Sequence, residues 1–547
     1  MGEGRDEDGP SRRGEAQEGK DSDGPGPGGE APEGKDAGEG ISSDNAAEGK
    51  EMEAESPLLD ALGKDYGDGI FKFLAPRTAA FLELTFTSKL VKPPGKGVAL
   101  MRSVARRRYA EAVKAGAAMP VPLGERREGR VTWATELRWV YMAMARLRVG
   151  GAKKMASAGG THSLVTSGMA GGIWSFGKNH GGEGIERVPR LVEALSRMVV
   201  TQVAAGYMHS AVLTREGSVF TWGDGYKGQL GHGKEDDQLV PKRLEELTDV
   251  TYITVGAHHN LAVSGEAVHV WGCNTDEQLG LGSDNNHDES CFSPTIVNGL
   301  SEVVAVAAGD NHSFVLSKDG TIKACGQNAV GQLGLGDTAQ RDTFTAVPVL
   351  CGVLDMDAGA SHSIAVTAEG VYTWGMGRGA GQGNTMSERA HVQYLFPTKV
   401  TGGGIEEAMV VQVAAGDNHS LALTAIGELF SWGDSAKGQL GHGGHDFFAV
   451  QAANNCAPRI VRGIGAVVSL AGGDQHSFVT TVEGRVLSFG SNGEDQWYDS
   501  DGEDLDELVF VVDGRLGLGA GVREALSPMA IDGILLGEEA KGVEEKE

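Results

Sequence analysis

Residues 413–424 read VAAGDNHSLALT, and they are followed by Gly427, by SWG at 431–433 and by GQLGHG at 438–443. Nearly the same text occurs earlier, with AAGYMHS at 204–210, TWG at 221–223 and GQLGHG at 228–233. Repetition of this kind, over about thirty residues, indicates an architectural unit and not a local accident.

The core of the unit, Gly-x-x-His, occurs seven times. Its glycine and histidine pairs are Gly159/His162, Gly206/His209, Gly256/His259, Gly309/His312, Gly359/His362, Gly416/His419 and Gly473/His476. Successive histidines are separated by 47 to 57 residues. A period of about 50 residues is typical of a β-propeller with one blade per copy.

The residues within one copy predict a β-hairpin. The runs SAVLT (210–214) and SVFTW (218–222) are rich in β-branched and aromatic residues, and Gly217 lies in the turn between them. The small residues before each Gly-x-x-His suit an innermost strand, where the blades converge. An aromatic residue before a glycine is predicted to fill the space between adjacent sheets: Phe176, Trp222, Trp271, Trp374, Trp432 and Phe489.

The pattern Ala-Gly-x-x-His-Ser, Gly, Trp-Gly, Gly-Gln-Leu-Gly-x-Gly resembles the repeat of the regulator of chromosome condensation family. The resemblance covers residues 152–536 and implies an all-β fold, a seven-bladed β-propeller. Some copies depart from the pattern. The first lacks Gln-Leu-Gly, the fourth has Cys325 in place of tryptophan, and an acidic insertion at 494–507 splits the seventh.

Length and composition bound the remainder. The 547 residues accommodate one propeller and about 150 further residues, and no apolar run is long enough to cross a bilayer. The five cysteines are odd in number and form no Cys-x-x-Cys, which argues against a disulfide framework or a zinc cluster. We therefore expect an intracellular protein, cytoplasmic or nuclear or both.

The region before the propeller has two parts. Residues 1–55 are low-complexity, with 6 Lys/Arg against 17 Asp/Glu, and are predicted to be a disordered acidic tail. Residues 56–151 have helical apolar spacing and are predicted to be a small helical region. Within 56–90, the runs IFKFLAPR (70–77), FLEL (81–84) and TSKL (87–90) look like part of an F-box; a helical cap on the propeller is the alternative.

The propeller itself is acidic. Residues 155–547 hold 23 Lys/Arg against 50 Asp/Glu, a balance that repels nucleic acid and anionic membrane and attracts basic partners. The insertion at 494–507 lacks the spacing of a twelve-residue calcium loop, so we predict a flexible acidic loop there. A short charged tail (537–547) ends the sequence.

The outer strands are marked by prolines, as in PRLV (189–192), PTIV (294–297), PTKV (397–400) and PRIV (458–461). The run PMAI at 528–531 has the same form. We expect this last strand to join the sheet that begins around residues 155–158, and so to fasten the two ends of the propeller together.

The sequence offers no catalytic, cofactor-binding or metal-binding constellation. The seven histidines occupy one repeat position and are spread evenly, so we predict a structural role with each ring nitrogen bonded to backbone. His442 and His445 lie in a glycine loop that does not make a metal site. The glycine series at 375–381 lacks the lysine and helix of a P-loop and is read as a repeat linker.

We therefore expect a monomeric, non-catalytic interaction propeller whose partner is a protein with a basic surface. One hypothesis is a substrate receptor or regulatory adaptor, in which the F-box-like segment binds a ubiquitin-ligase adaptor. The alternative implied by the resemblance is a guanine nucleotide exchange factor for a Ran-like small GTPase, whose β-wedge would lie at 384–396 or 444–457. A photoreceptor like the plant UV-B sensor fits poorly, because its Gly-Trp-Arg-His-Thr motif reads Gly206-Tyr207-Met208-His209 here.

Overall fold

The computed structural model describes residues 155–167, 172–178, 185–265, 267–282, 289–380, 393–443, 457–497 and 508–535. The predicted acidic tail, the predicted helical region with its F-box-like segment and the charged tail lie outside these residues. The described part is almost entirely β-strand and forms seven four-stranded sheets, which are the predicted blades.

The strands of the first four blades are β1 (Ala156–Ala158), β2 (His162–Thr166), β3 (Ile173–Lys178), β4 (Ile185–Leu191), β5 (Val200–Ala205), β6 (His209–Thr214), β7 (Val219–Gly223), β8 (Gln238–Arg243), β9 (Val250–Val255), β10 (His259–Ser264), β11 (Ala267–Cys273), β12 (Ser290–Ile296), β13 (Val303–Ala308), β14 (His312–Ser317), β15 (Ile322–Gly326) and β16 (Arg341–Ala346).

The remaining strands are β17 (Asp355–Ala358), β18 (His362–Thr367), β19 (Gly370–Met376), β20 (Gln393–Lys399), β21 (Val410–Ala415), β22 (His419–Thr424), β23 (Leu429–Gly433), β24 (Arg459–Ile460), β25 (Val467–Gly472), β26 (His476–Thr481), β27 (Arg485–Ser491), β28 (Gly493–Trp497), β29 (Leu508–Val512) and β30 (Glu524–Leu535). A 3₁₀ turn (Glu193–Leu195) and a helical turn (Gly377–Ala380) complete the described elements.

Each blade is an antiparallel meander that runs from the axis outward. In the second blade the order is β5-β6-β7-β8, and the small residues Ala204 and Ala205 lie on the innermost strand. Because the strands alternate in direction, the end of the inner strand, the start of the second strand and the end of the third strand share one face of the propeller. We call this face the mouth face.

Aromatic residues fill the spaces between the blades, as the sequence predicts. Trp271, Trp374 and Trp432 are at most 1% exposed. The indole Nε1 of Trp271 donates to the carbonyl of Gln229 in the preceding blade (3.1 Å), and Trp374 repeats this contact with Gln332 (2.8 Å). The aromatic side chain of each of these blades therefore packs against the Gln-Leu-Gly turn of the preceding blade and donates a hydrogen bond to it.

The predicted closure of the ring is wrong. The last strand, β30, pairs with β27 in the seventh sheet, and β1 completes the first sheet with β2, β3 and β4. Each repeat supplies all four strands of its own blade, so no strand is left to cross between the ends. Side chains close the ring instead, with Phe176 of the first blade edge-on to Phe478 of the seventh at 5.8 Å.

The first residues of the acidic insertion, 494–497, lie in β28, which pairs with β29 in an antiparallel two-stranded ribbon outside the blades. The rest of the predicted flexible loop, residues 498–507, lies outside the described residues. The amide of Ser491, where β27 ends, donates to the carbonyl of Gln475 in the turn between β25 and β26 (2.9 Å). The ribbon therefore begins on the mouth face. The predicted wedge insertions at 384–396 and 444–457 lie almost wholly outside the described residues.

Candidate partner-binding face at the channel mouth

The seven predicted histidines form a closed circle of hydrogen bonds around the axis. In each blade, Nε2 of the histidine meets a side chain of the next blade, namely His162–Ser210 (2.7 Å), His209–Asn260 (3.0 Å), His259–Ser313 (2.8 Å), His312–Ser363 (2.9 Å), His362–Ser420 (3.0 Å), His419–Ser477 (2.8 Å) and His476–Ser163 (2.9 Å). The partner differs from the backbone groups that we predicted, because the residue after each histidine points between the blades.

The bonds of these partners fix the tautomer of the histidines. Ser313 Oγ donates its single proton to the carbonyl of Gln278 (2.7 Å), so it accepts from His259 Nε2. Asn260 uses its amide group in the same way, since Nδ2 donates to the carbonyl of Gln229 (2.8 Å) and Oδ1 accepts from His209. Nε2 of His209 and of His259 therefore carries a proton and donates it to the next blade.

Burial keeps these imidazoles neutral. Desolvation lowers the pKa of His209, His259, His312 and His419 to about 3, and that of His362 to about 4. The rings lie between blades and do not converge, and the described residues contain no group of three His, Cys, Asp or Glu that could hold a metal ion. The circle connects adjacent blades.

The predicted glycines line the channel beside these histidines. A Cβ on Gly416 would clash with the carbonyl oxygen of Gly473 in the next blade and with the ring of His419. The other glycines of the repeat core, from Gly159 to Gly473, have the same position in their blades. Only glycine permits this close approach of the inner strands.

The inner strand ends surround a cavity of about 80 Å³ on the axis of the mouth face. The residue after each core glycine stands at its rim, and this position is not uniform around the ring. It is occupied in turn by Gly160, Tyr207, Ala257, Asp310, Ala360, Asp417 and Asp474. The rim is therefore acidic in the fourth, sixth and seventh blades.

Ionisation of the three aspartates at the mouth is unfavourable. Burial, and then the charge of Asp417, raise the pKa of Asp310 to about 7. The pKa of Asp417 is raised well above its usual range by burial and by its contact with Asp474. Carboxylates that are partly withdrawn from water and repel one another are stabilised by an incoming cation.

One buried cation already lies near this group. Arg515 is fully buried at the junction of the seventh and first blades, where the second, third, fourth and sixth copies of the turn have glutamine. Its Nε donates to Asp513 (2.9 Å), and its carbonyl accepts from Ser163 Oγ (2.9 Å). Arg515 lowers the pKa of Asp417, but Asp417 remains shifted upward in total.

The remaining candidates from the sequence are two histidines, the glycine series at 375–381 and the cysteines. His442 Nε2 contacts Ser431 Oγ of β23 in its own blade (3.1 Å), and His445 lies outside the described residues. In the glycine series, residues 377–380 form a helical turn, and the carbonyl of Gly379 accepts from Ser420 Oγ (2.7 Å) as the Gln carbonyls do in other blades. Of the cysteines in the described part, Cys273, Cys291 and Cys325 are free and buried and Cys351 is free and exposed.

Sequence reasoning missed the acidic rim and Arg515. The available signal was the residue after each Gly, which is aspartate in three of the seven copies. Among the described residues, no helix is long and apolar enough to span a membrane.

Comparison with known proteins identifies the repeat. Two family profiles, both described as the Regulator of chromosome condensation (RCC1) repeat, match the chain. The first matches residues 216–263, 266–316, 369–423 and 427–480, and the second matches 200–229, 303–332, 410–439 and 467–496.

Similar proteins have different functions. The chain is 31% identical over 301 residues to the ultraviolet-B receptor UVR8 of Arabidopsis thaliana, covering 53% of this chain and 64% of the receptor. It is 33% identical over 291 residues to the secretion-regulating guanine nucleotide exchange factor of Bos taurus, covering 50% of this chain and 59% of that protein. The chain thus spans less than two thirds of the length of these relatives.

A solved structure agrees with the fold. The crystal structure of human WBSCR16 superposes with a TM-score of 0.50 at 26% identity, covering 60% of this chain and 86% of that chain. The described part of the chain is thus a seven-bladed β-propeller built from regulator of chromosome condensation (RCC1) repeats.

Proposed function

We propose that this chain is a non-catalytic interaction propeller that binds a basic protein surface over the channel mouth and acts as a substrate receptor or regulatory adaptor. The observation that supports it is the acidic rim formed by Asp310, Asp417 and Asp474. Nε2 of each histidine beneath the rim is bonded to the next blade, whereas the rim carboxylates would be stabilised by a cation from outside.

The charge of the propeller supports the same partner class. An excess of acidic residues attracts basic partners over long range and accelerates their association, while the mouth supplies the site at short range. We place this activity in the cytoplasm or nucleus. The F-box-like segment at 56–90 would bind a ubiquitin-ligase adaptor in this proposal.

The test is affinity purification of the full-length protein from native cells, with the retained proteins identified by mass spectrometry. The test variant is Asp310→Asn/Asp417→Asn/Asp474→Asn. The control is Glu216→Gln/Glu246→Gln/Glu369→Gln, which removes three exposed negative charges at the opposite ends of the strands. Loss of a basic partner from the rim variant alone supports the proposal, and its equal retention by both variants contradicts it.

The second candidate is nucleotide exchange on a Ran-like small GTPase. Two observations favour it: the similarity to a secretion-regulating guanine nucleotide exchange factor, and the β28–β29 ribbon that begins on the mouth face beside the acidic rim. The measurement is release of a fluorescent GDP from purified Ran. Acceleration by the full chain that disappears when residues 494–511 are replaced by a short glycine linker supports exchange; an unchanged release rate with the full chain contradicts it.

A further inference from the structure

An aromatic surface adjoins the cavity on the side of the second and third blades. The ring of His258 lies between Tyr207 (5.8 Å between centroids) and Tyr226 (5.9 Å). Tyr207 also lines the cavity, so the aromatic surface and the cavity are continuous. We call Tyr207, His258 and Tyr226 the aromatic band.

The first blade leaves room for this band. A Cβ on Gly160 would collide with the ring of Tyr207, so the tyrosine lies flat on the backbone of its neighbour. The band is also on the mouth face, since the amide of Asp224, just before Tyr226, donates to the carbonyl of Met208 (3.1 Å). Its members therefore face the same partner as the acidic rim.

The band is an exception within the repeat. Tyr226 is half exposed, and the fourth and sixth blades have Ala329 and Ala436 at the equivalent position. Packing within the propeller does not require a tyrosine there, since alanine suffices in the fourth and sixth blades. Exposed tyrosines that cluster beside a cavity are characteristic of the centres of protein interfaces.

The two halves of the mouth have opposite electrostatic preferences. Lys227 Nζ lies 5.5 Å from the centroid of the Tyr226 ring. Its charge also contributes to the lowering of the pKa of His258 to about 4, after the larger effect of burial. A second cation is therefore disfavoured on the band, which suits an uncharged ring or aliphatic side chain.

The aspartate side of the mouth, in contrast, favours a cation. Among the described residues, no hydrogen bond reaches the carboxylate of Asp310, although this residue lines the cavity and is largely withdrawn from water. A cavity of about 80 Å³ admits the end of one long side chain, whereas a helix is about 10 Å wide and cannot enter. A lysine or arginine matches both the size and the charge.

We propose that the mouth recognises a linear segment of the partner in which a lysine or arginine lies near an aromatic or large aliphatic residue. The cation enters the cavity between Asp310 and Asp417, and the apolar side chain packs on Tyr226 and His258. The opposite electrostatics of the two halves fix the direction in which the segment lies. This inference rests on the proposed interaction function and names the chemistry of its partner.

The first experiment determines the recognised sequence. A phage-displayed library of random twelve-residue peptides is selected on the immobilised full chain at pH 7.5 and, in parallel, on two variants. Asp310→Asn/Asp417→Asn removes the two carboxyl groups between which the cation is placed, and Tyr226→Ala removes the outer ring of the band. Leu239→Ala on the second blade, which shortens an outer-strand side chain that is 64% exposed, is the matched control.

The expected result on the wild-type chain and the control is enrichment of peptides that combine one basic and one apolar residue at fixed spacing. The aspartate variant loses the basic residue from the selected set. The tyrosine variant keeps the basic residue and loses the apolar preference. For the best synthetic peptide, fluorescence anisotropy should show at least tenfold weaker binding to the aspartate variant and about fivefold weaker binding to Tyr226→Ala.

The failures are distinguishable. Enrichment of basic peptides with no apolar preference, and unchanged affinity for Tyr226→Ala, would overturn the two-part recognition while leaving the mouth as a site for basic partners. Absence of basic residues from the selected set would overturn this inference and the proposed function together. Circular dichroism and thermal unfolding of each variant establish that it is folded before its binding is compared.

Discussion

Two positions of the same repeat, only two residues apart, behave in opposite ways. His312 is fully buried between blades, and its counterparts in the other six blades are at most 4% exposed. Asp310, at the rim, corresponds to Gly160, Tyr207, Ala257 and other residues around the ring. The position between blades is set by a contact that every blade must make. The rim position contacts the channel, so packing leaves it free to serve a partner.

The largest effect expected from this comparison is acid unfolding. The folded-state pKa of the circle histidines is lowered from 6.5, so the unfolded chain binds protons below pH 6.5 that the folded chain does not. Their contribution to stability is complete above about pH 6.5 and is lost as the pH falls towards 3. At pH 5 each costs about 2 kcal/mol, so four or more approach the whole stability of a domain.

The measurement is the free energy of unfolding by urea at pH 7.5, 6.5, 5.5 and 5.0. We expect a steep fall over the last three values. Equal stability at pH 7.5 and 5.0 would show that the imidazoles accept protons within the folded circle, contrary to the lowered pKa that burial gives them.

The junction of the seventh and first blades is an exception to the contrast between the two positions. There a charged pair, Arg515 and Asp513, lies buried between blades. Changing Arg515→Gln restores the glutamine of the second, third, fourth and sixth copies of the turn but leaves Asp513 buried without its cation. We expect a loss of about 3–5 kcal/mol in the free energy of unfolding. Adding Asp513→Val, which reproduces the Val330-Gly331-Gln332 turn of the fourth blade, should recover most of it. A double variant as unstable as Arg515→Gln would contradict this account.

A pair of alanine variants in the fourth blade sharpens the comparison. His312→Ala removes a buried ring and leaves Ser363 without its donor, for an expected loss of about 2–4 kcal/mol. Asp310→Ala, two residues away, removes a group that no hydrogen bond holds and should cause no loss of stability, because this carboxyl, with its raised pKa, destabilises the fold when it ionises. The measurement is the free energy of unfolding of both variants by urea at pH 7.5. Losses of equal size would mean that the rim position is as structural as the histidine.

The sequence predicts most of the fold and the residues packed between blades, but not the residues that line the mouth. The spacing of Gly-x-x-His specifies seven blades, and the position of Trp432 specifies its burial, because both follow from contacts repeated in every copy. The pairing of β30 could not be predicted, since a proline-marked outer strand fits the last sheet and the first equally well. Asp310, Asp417 and Tyr226 were missed because a variable position looks uninformative until the topology shows that it lines the mouth.

The smallest predicted effect concerns the charge of the rim and has the opposite sign from the histidine effect. The folded-state pKa of Asp310 is raised from 3.8 to about 7, so between these values the folded chain holds a proton that the unfolded chain has lost. Its contribution to stability is present below pH 3.8 and is lost as the pH rises through 7. Asp310→Asn, which cannot ionise, should therefore stabilise the propeller at pH 8 by about 1–2 kcal/mol after allowance for solvent screening.

At pH 4.5 the advantage of Asp310→Asn should be clearly smaller than at pH 8, because only a small part of the interval between the unfolded and folded pKa values has been crossed there. Urea unfolding at both pH values measures the difference, with Glu216→Gln as the control for loss of one exposed charge. A variant that is less stable than the wild type at pH 8 would mean that the ionised carboxylate is held by favourable contacts. The rim would then be a structural feature, and the argument that it awaits a cation from a partner would lose its physical basis.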